Sequence, residues 1–197
     1  MEAVYLSPGL LFLGDRASAT LYYDGTARIY ARGRLRFNSL TPSDHAEWAG
    51  LRARKWEVEG GFGAQTITPV GIVTLRADTD LINRSRGQNA VVSLDLPLLR
   101  KQWLFMPSLT LIWRSSNLAN YYYGGVSHAE ATADHPYYDV GAALSASVAL
   151  IGSYRFTDRW VGALLANYER YPTSIRNSPL IGKAGSYDLI AGFGYNF

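Results

Sequence analysis

Between Thr26 and Phe37 the chain separates two kinds of residue by parity. Arg28, Tyr30, Arg32, Arg34 and Arg36 occupy one set of alternate positions, and Ile29, Ala31, Gly33, Leu35 and Phe37 occupy the other. Period two is the mark of a β-strand whose faces meet different surroundings. Four arginines on one face cannot enter a dry core, because each unpaired buried charge costs several kcal/mol. The next candidate strand, 56–67, sets Glu57, Glu59 and Gln65 opposite an apolar face of Trp56, Val58, Phe62 and Ala64. If the two strands are neighbours, these carboxylates meet those arginines. The expectation is a polar, ion-paired interior with Arg28, Arg32, Arg34, Arg36, Glu57 and Glu59 facing the lumen, and an apolar exterior.

The alternation recurs along the chain. Leu109, Leu111 and Trp113 alternate with Ser108, Thr110 and Ile112, and Leu144, Val148 and Leu150 with Ala143, Ser147 and Ala149. Ten candidate strands follow, over 3–12, 17–23, 26–37, 56–67, 70–78, 90–98, 103–114, 140–154, 160–170 and 186–197. Most approach the roughly 9 to 11 residues that a tilted strand needs to cross a bilayer. Counted back from the C-terminus the connections run long (171–185), short (155–159), long (115–139), short (99–102), long (79–89), short (68–69) and long (38–55), then a two-residue turn at Asp24-Gly25. Short periplasmic turns and longer external loops alternate in this way in outer-membrane barrels; only the first connection, Leu13 to Arg16, is too short for the outer side. Ten strands would leave both chain ends in the periplasm. The expected fold is a single all-β domain over 1–197, an antiparallel up-and-down transmembrane β-barrel of about ten strands. A soluble β-sandwich or lipocalin-like barrel would invert the pattern, leaving the arginine row as a solvated face and packing sets such as Phe105, Leu109, Leu111 and Trp113 inside.

Composition narrows the classes. Apolar residues form 48% of the 197, too many for a disordered chain, and charged residues only 18%. The formal charge of +3 is too nearly cancelled for a nucleic-acid partner. Cysteine is absent, so disulfides and thiolate metal sites are excluded. The most apolar stretch, 140–152, falls short of the roughly 20 residues of a spanning helix. The start, Met1-Glu2-Ala3-Val4-Tyr5, runs straight into patterned sequence with no leader; an exported protein of this sequence is expected to begin upstream of it. Trp56, Trp103, Trp113, Trp160, Tyr154, Tyr168 and Tyr195 lie near strand ends, where interfacial aromatic girdles sit.

Chemistry-bearing residues are sparse. Ser127, His128, Glu130, Asp134 and His135 share one loop, yet no nucleophile-elbow pattern accompanies them. His128 and His135 match no zinc spacing. Catalytic, metal and cofactor roles are therefore not expected. Tyr121, Tyr122 and Tyr123 form a candidate external contact loop, with a self-packed or interfacial belt as the plainer reading. The arginine face suits charge-paired filling of a narrow barrel better than an open pore.

The C-terminal strand resembles the assembly signal of outer-membrane barrels: a terminal Phe197 with Tyr195, Phe193, Ala191 and Leu189 at every second position before it. Such a signal implies handling by the barrel assembly machinery and residence in outer-membrane lipid. Residues 85–197 also resemble the MltA-interacting protein family (MipA/OmpV) of Gram-negative outer membranes. The matching stretches include Gly87-Gln88-Asn89-Ala90, Trp113-Arg114-Ser115-Ser116-Asn117, Asn120-Tyr121-Tyr122-Tyr123-Gly124, Val126-Ser127-His128-Ala129-Glu130, Pro136-Tyr137-Tyr138-Asp139, Tyr154-Arg155-Phe156-Thr157-Asp158-Arg159-Trp160 and Gly194-Tyr195-Asn196-Phe197. The first half is similar more loosely. Gly125 looks like an insertion, and the family's signal peptide and glycine-rich opening strand are absent, which points to an N-terminally shortened member. The resemblance implies a non-enzymatic outer-membrane scaffold linking a lytic transglycosylase to a penicillin-binding protein in murein growth. A small channel or uptake barrel for small solutes is the alternative.

Overall fold

The computed structural model describes residues 4–7, 9–44 and 46–195. Its strands are β1 (Val4–Ser7), β2 (Leu10–Leu13), β3 (Arg16–Tyr23), β4 (Ala27–Arg36), β5 (Glu57–Thr68), β6 (Gly71–Asp80), β7 (Gln88–Asp95), β8 (Leu98–Arg100), β9 (Trp103–Arg114), β10 (Ala143–Arg155), β11 (Trp160–Arg170) and β12 (Gly185–Tyr195). Two short helices, α1 (Ser116–Tyr122) and α2 (Thr173–Arg176), lie in the long connections. Every strand joins one antiparallel up-and-down sheet in chain order, except that β7 and β8 both pair with β9. They form one wall interrupted at Leu96-Pro97, where proline has no N–H for the ladder. No helix among the described residues is long and apolar enough to cross a membrane.

The first expected strand, 3–12, is instead a hairpin of two four-residue strands, β1 and β2. Pro8-Gly9 cuts the apolar run, and Gly9 takes φ +139°, a conformation that side-chain-bearing residues rarely adopt. The sheet path therefore has eleven members when β7 and β8 count as one wall. The first and last strands then run parallel, so their outer ends do not share the periplasmic side as ten strands would require. No ladder joins β1 to β12 among the described residues, and the sheet is open there.

Long connections collect at one end of the barrel and short ones at the other, except that the two-residue β2–β3 turn, Gly14-Asp15, lies at the long-loop end. Outward positions carry Ile29, Phe62, Leu75, Leu109, Val148 and Leu164, all exposed large apolar side chains, as a lipid-facing wall requires. Along the ends of β9 to β12 with the short turns the aromatics form a chain. Trp103 lies 4.4 Å from Tyr154, Tyr154 4.9 Å from Phe156 and Trp160 4.9 Å from Tyr195, ring centre to ring centre. Phe193 follows at 6.2 Å from Phe156. These are the interfacial girdle and the described part of the terminal apolar pattern; Phe197 lies outside the described residues. On β12 both faces are exposed, including inward Ile190, because no strand covers its free edge.

The apolar core is not between the strands. Its buried residues are Ala119, Tyr123, Val140, Ala143 and Ile175, at the long-loop end. There the external connections fold into a roof over the lumen.

Candidate functional site

The lumen is organised by register. Arg34 lies directly across from Glu59, and Arg36 from Glu57. Arg36 donates from Nη2 to Glu59 at 2.6 Å and from Nε at 3.1 Å, and its Nε stands 3.3 Å from Glu57 as an ion pair without hydrogen-bond alignment. Arg34 donates to Asp15, in the β2–β3 turn, at 3.0 Å and reaches 4.0 Å from Glu59. Asn89 Nδ2 adds a hydrogen bond to Glu59 at 3.0 Å from β7. Glu57 and Glu59 are fully buried, a burial tolerable only beside these cations.

Arg32 and Arg28 find other partners. Opposite Arg32 on β5 stands Gly61, and beyond it Asp78 on β6. With no side chain at Gly61, Arg32 reaches across a whole strand and donates to Asp78 at 2.5 Å. Opposite Tyr30 stands Gly63, where a Cβ would fall 2.2 Å from the tyrosine ring, so the ring lies flat on the strand. Arg28 sits 4.8 Å above that ring and donates to Thr20 and Ser18 hydroxyls at 2.9 and 3.3 Å. On the far wall Arg114 of β9 bridges β10 to reach Glu169 of β11 at 2.7 Å and Ser145 at 2.8 Å. The periodicity placed the arginine row and both glutamates on these faces. It did not single out Asp15, Asp78, Asn89 or the Arg114–Glu169 pair. Asp78 was within reach, since Thr74, Arg76 and Asp78 continue the inward parity of their strand.

The roof is assembled from sequence that reads as plain loop. Ser115 caps α1 by accepting from the Leu118 amide, and its hydroxyl also accepts from the Gln88 amide at 2.9 Å. This short helix is stabilised by burying Leu118 and Ala119. After it the chain turns at Gly124, φ +101°, where a Cβ would fall 2.1 Å from Ser178 Oγ. That hydroxyl donates to the Gly124 carbonyl at 2.6 Å and ties in the 171–184 loop.

The three tyrosines end this helix and turn onto the rim. Tyr121 Oη accepts from the Lys55 amide at 3.1 Å, and Tyr122 donates to the Lys55 carbonyl at 2.6 Å. Tyr123 is buried under the roof, with the Arg114 guanidinium 4.2 Å from its ring centre and an Arg36 N–H on its hydroxyl at 3.4 Å. Much of their surface is therefore spent on the protein itself.

Beside them, a cavity of about 370 Å³ is lined by residues that include Arg54, Asn120, Tyr121, Glu130 and Tyr138. Glu130 is its electrostatic centre. Burial alone would raise its carboxyl. The hydrogen bonds from Arg54 at 2.7 Å, Ser127 Oγ at 2.5 Å and the Arg52 amide at 2.8 Å outweigh that, holding it down at about 2. Ser127 therefore serves Glu130. His128 stacks flat on Tyr137 at 3.8 Å, and the His135 amide donates to Thr132. No group of three or more metal-type ligands occurs among the described residues.

With the barrel, its ion-paired lumen and its loop roof in view, comparison with known proteins decides the family. The family model described as MltA-interacting protein MipA matches residues 3–197. The chain belongs to this family. It is also similar to two curated outer-membrane proteins. Outer membrane protein Omp26La of Vibrio anguillarum is 27% identical over 152 residues, covering 75% of this chain and 57% of that protein. Outer membrane protein OmpV of Vibrio cholerae is 28% identical over the same shares. The chain thus spans little more than half the length of these relatives. No solved structure is significantly similar. Family, fold and apolar wall together make this an outer-membrane β-barrel protein.

Proposed function

We propose that this barrel is a non-enzymatic scaffold of the outer membrane, holding a lytic transglycosylase, and through it a penicillin-binding protein, at sites of murein growth. The observation that carries the reading is the filled interior. Arg36–Glu59, Arg32–Asp78 and Arg114–Glu169 line the inner wall between adjacent or next-adjacent strands, Tyr123 stands between Arg36 of β4 and Arg114 of β9, and the roof closes over the outer end with Tyr123 and Ile175 buried. A barrel filled in this way acts through its surfaces, which favours an adaptor over a solute channel. The family's name supplies the partner class, a protein that interacts with MltA.

The surface that faces the periplasm is made of the short turns. Among them is the β8–β9 hairpin, where Leu98 and Leu99 are exposed beside Arg100 and Lys101. Exposed apolar residues with flanking cations suit a protein contact. The alternating C-terminal residues Phe193 and Tyr195 serve in this reading as the recognition element for the barrel assembly machinery.

Affinity capture tests the scaffold. The barrel, refolded in detergent and checked by slower migration after boiling, is immobilised and probed with solubilised envelope proteins from its own source beside an unrelated barrel. Specific retention of a lytic transglycosylase, reduced by Leu99→Asp, is expected. Failure to enrich either enzyme class from a folded barrel would overturn the scaffold and move transport ahead of it.

A further inference from the structure

A second cavity, of about 150 Å³, lies in the lumen well below the roof, and four guanidinium groups line it: Arg16 from β3, Arg28 and Arg32 from β4, and Arg76 from β6. Ser18, Tyr30 and Gln65 complete the polar lining. The cations are unequally served. Arg32 is paired with Asp78, and Arg16 shares Asp15 with Arg34. Arg28 has only the two hydroxyls and the tyrosine face, with no carboxylate within 4 Å among the described residues. Arg76 makes no hydrogen bond or ion pair there at all, and its Nε is shut away from solvent. Its neighbour Asp78 is already held by Arg32.

Gathering like charges around one space, two of them without a counter-charge, is unfavourable unless something negative enters it. Two glycines shape this space. Gly61 and Gly63 add no side chain to the inner face of β5, which leaves room for Arg32 to pass over Gly61 and for the Tyr30 ring over Gly63, with Gln65 the β5 side chain in the lining. Guanidiniums from three strands, β3, β4 and β6, line this one cavity. That arrangement suits an anion with oxygens directed several ways, each accepting a charge-assisted hydrogen bond.

We propose that the cavity between β3, β4 and β6 binds a small tetrahedral oxyanion of the phosphate class. The site is internal and separate from the periplasmic turns, so it stands or falls independently of the scaffold. It has a structural consequence: the anion supplies the charge that Arg28 and Arg76 lack and ties β6 to β3 and β4 near the open edge of the sheet.

The test uses the refolded full chain in a zwitterionic detergent at low chloride, titrated with inorganic phosphate by calorimetry and by thermal shift. Saturable binding and a rise in melting temperature are expected in the wild type. Arg76→Gln and Arg28→Gln should each weaken binding at least tenfold and abolish the thermal shift. Arg84→Gln, in an exposed external loop, should leave both unchanged. Because Arg76 has no partner to orphan, Arg76→Gln is expected to fold at least as well as the wild type, and Arg28→Gln provides a second variant. A separate titration with a soluble short-chain phosphatidate distinguishes a lipid headgroup from the free anion. No saturable phosphate binding, equal affinity in both glutamine variants, or binding of the phosphatidate alone would each overturn the proposal.

Discussion

The roof should open in acid, and Glu130 sets where. Its carboxyl is held at about 2 against an ordinary 4.5. A carboxyl lowered on folding adds stability that is fully present above its unfolded value and is lost as pH falls through the folded one. The window for this group is therefore pH 4.5 down to about 2. At about 1.4 kcal/mol per pH unit the ceiling is about 3 kcal/mol. Arg52, with its side chain 72% exposed, contributes little because water screens it, whereas Arg54 at 8% carries most of the effect. A loss of about 2 kcal/mol on acidification, or about thirtyfold in the opening equilibrium, is the working figure. Hydrogen exchange read by mass spectrometry, corrected for intrinsic rates, should show peptides from 126–140 losing protection across that window while β9 to β11 keep theirs. Asp139, held low by Asn120 and the Gly141 amide, acts in the same direction; Glu130→Gln separates the two. That variant should open at pH 6 and lose most of the pH dependence. Protection that stays flat between pH 6 and 2.5, or that changes identically in Glu130→Gln, would refute the assignment.

Three further outcomes are expected. Ile175→Ala removes a fully buried side chain from the roof and should cost about 2–4 kcal/mol, loosening 171–184 in the same exchange measurement without unfolding the strands. Arg114→Gln leaves buried Glu169 without its cation, and urea unfolding in phospholipid vesicles should show a loss of about 3–5 kcal/mol, with less lost in the double variant Arg114→Gln/Glu169→Gln. Leu109→Arg, on the outer face midway along β9 and opposite Val148 and Leu94, should cost about 2–4 kcal/mol by the same assay, whereas the inward swap Ser108→Arg should cost less.

The alternation of side chains determined a good deal by itself. A strand with Arg28, Arg32, Arg34 and Arg36 on one face has one stable arrangement when most other strands carry apolar residues on the opposite parity: charges inward, apolar residues to lipid. The parity of Glu57 and Glu59 likewise fixed which face they share with the arginines, since period two leaves no other choice. The Pro8-Gly9 break was equally present in the chain, but four-residue strands lie too close to the lower limit of the pattern to be separated by periodicity.

Tertiary structure decided what alternation cannot encode. Which carboxylate each arginine takes depends on register and on reach across a neighbour: Arg32 passes Gly61 to Asp78, and Arg114 passes β10 to Glu169. The roof is also a tertiary product. Leu118, Tyr123, Val126 and Val140 from the β9–β10 connection and Ile175 from the β11–β12 connection are buried together but follow no period; only the barrel beneath brings the two loops together. Parity is a property of the local backbone and survives in the sequence. Partnership depends on distances between segments, which exist only once the sheet has formed.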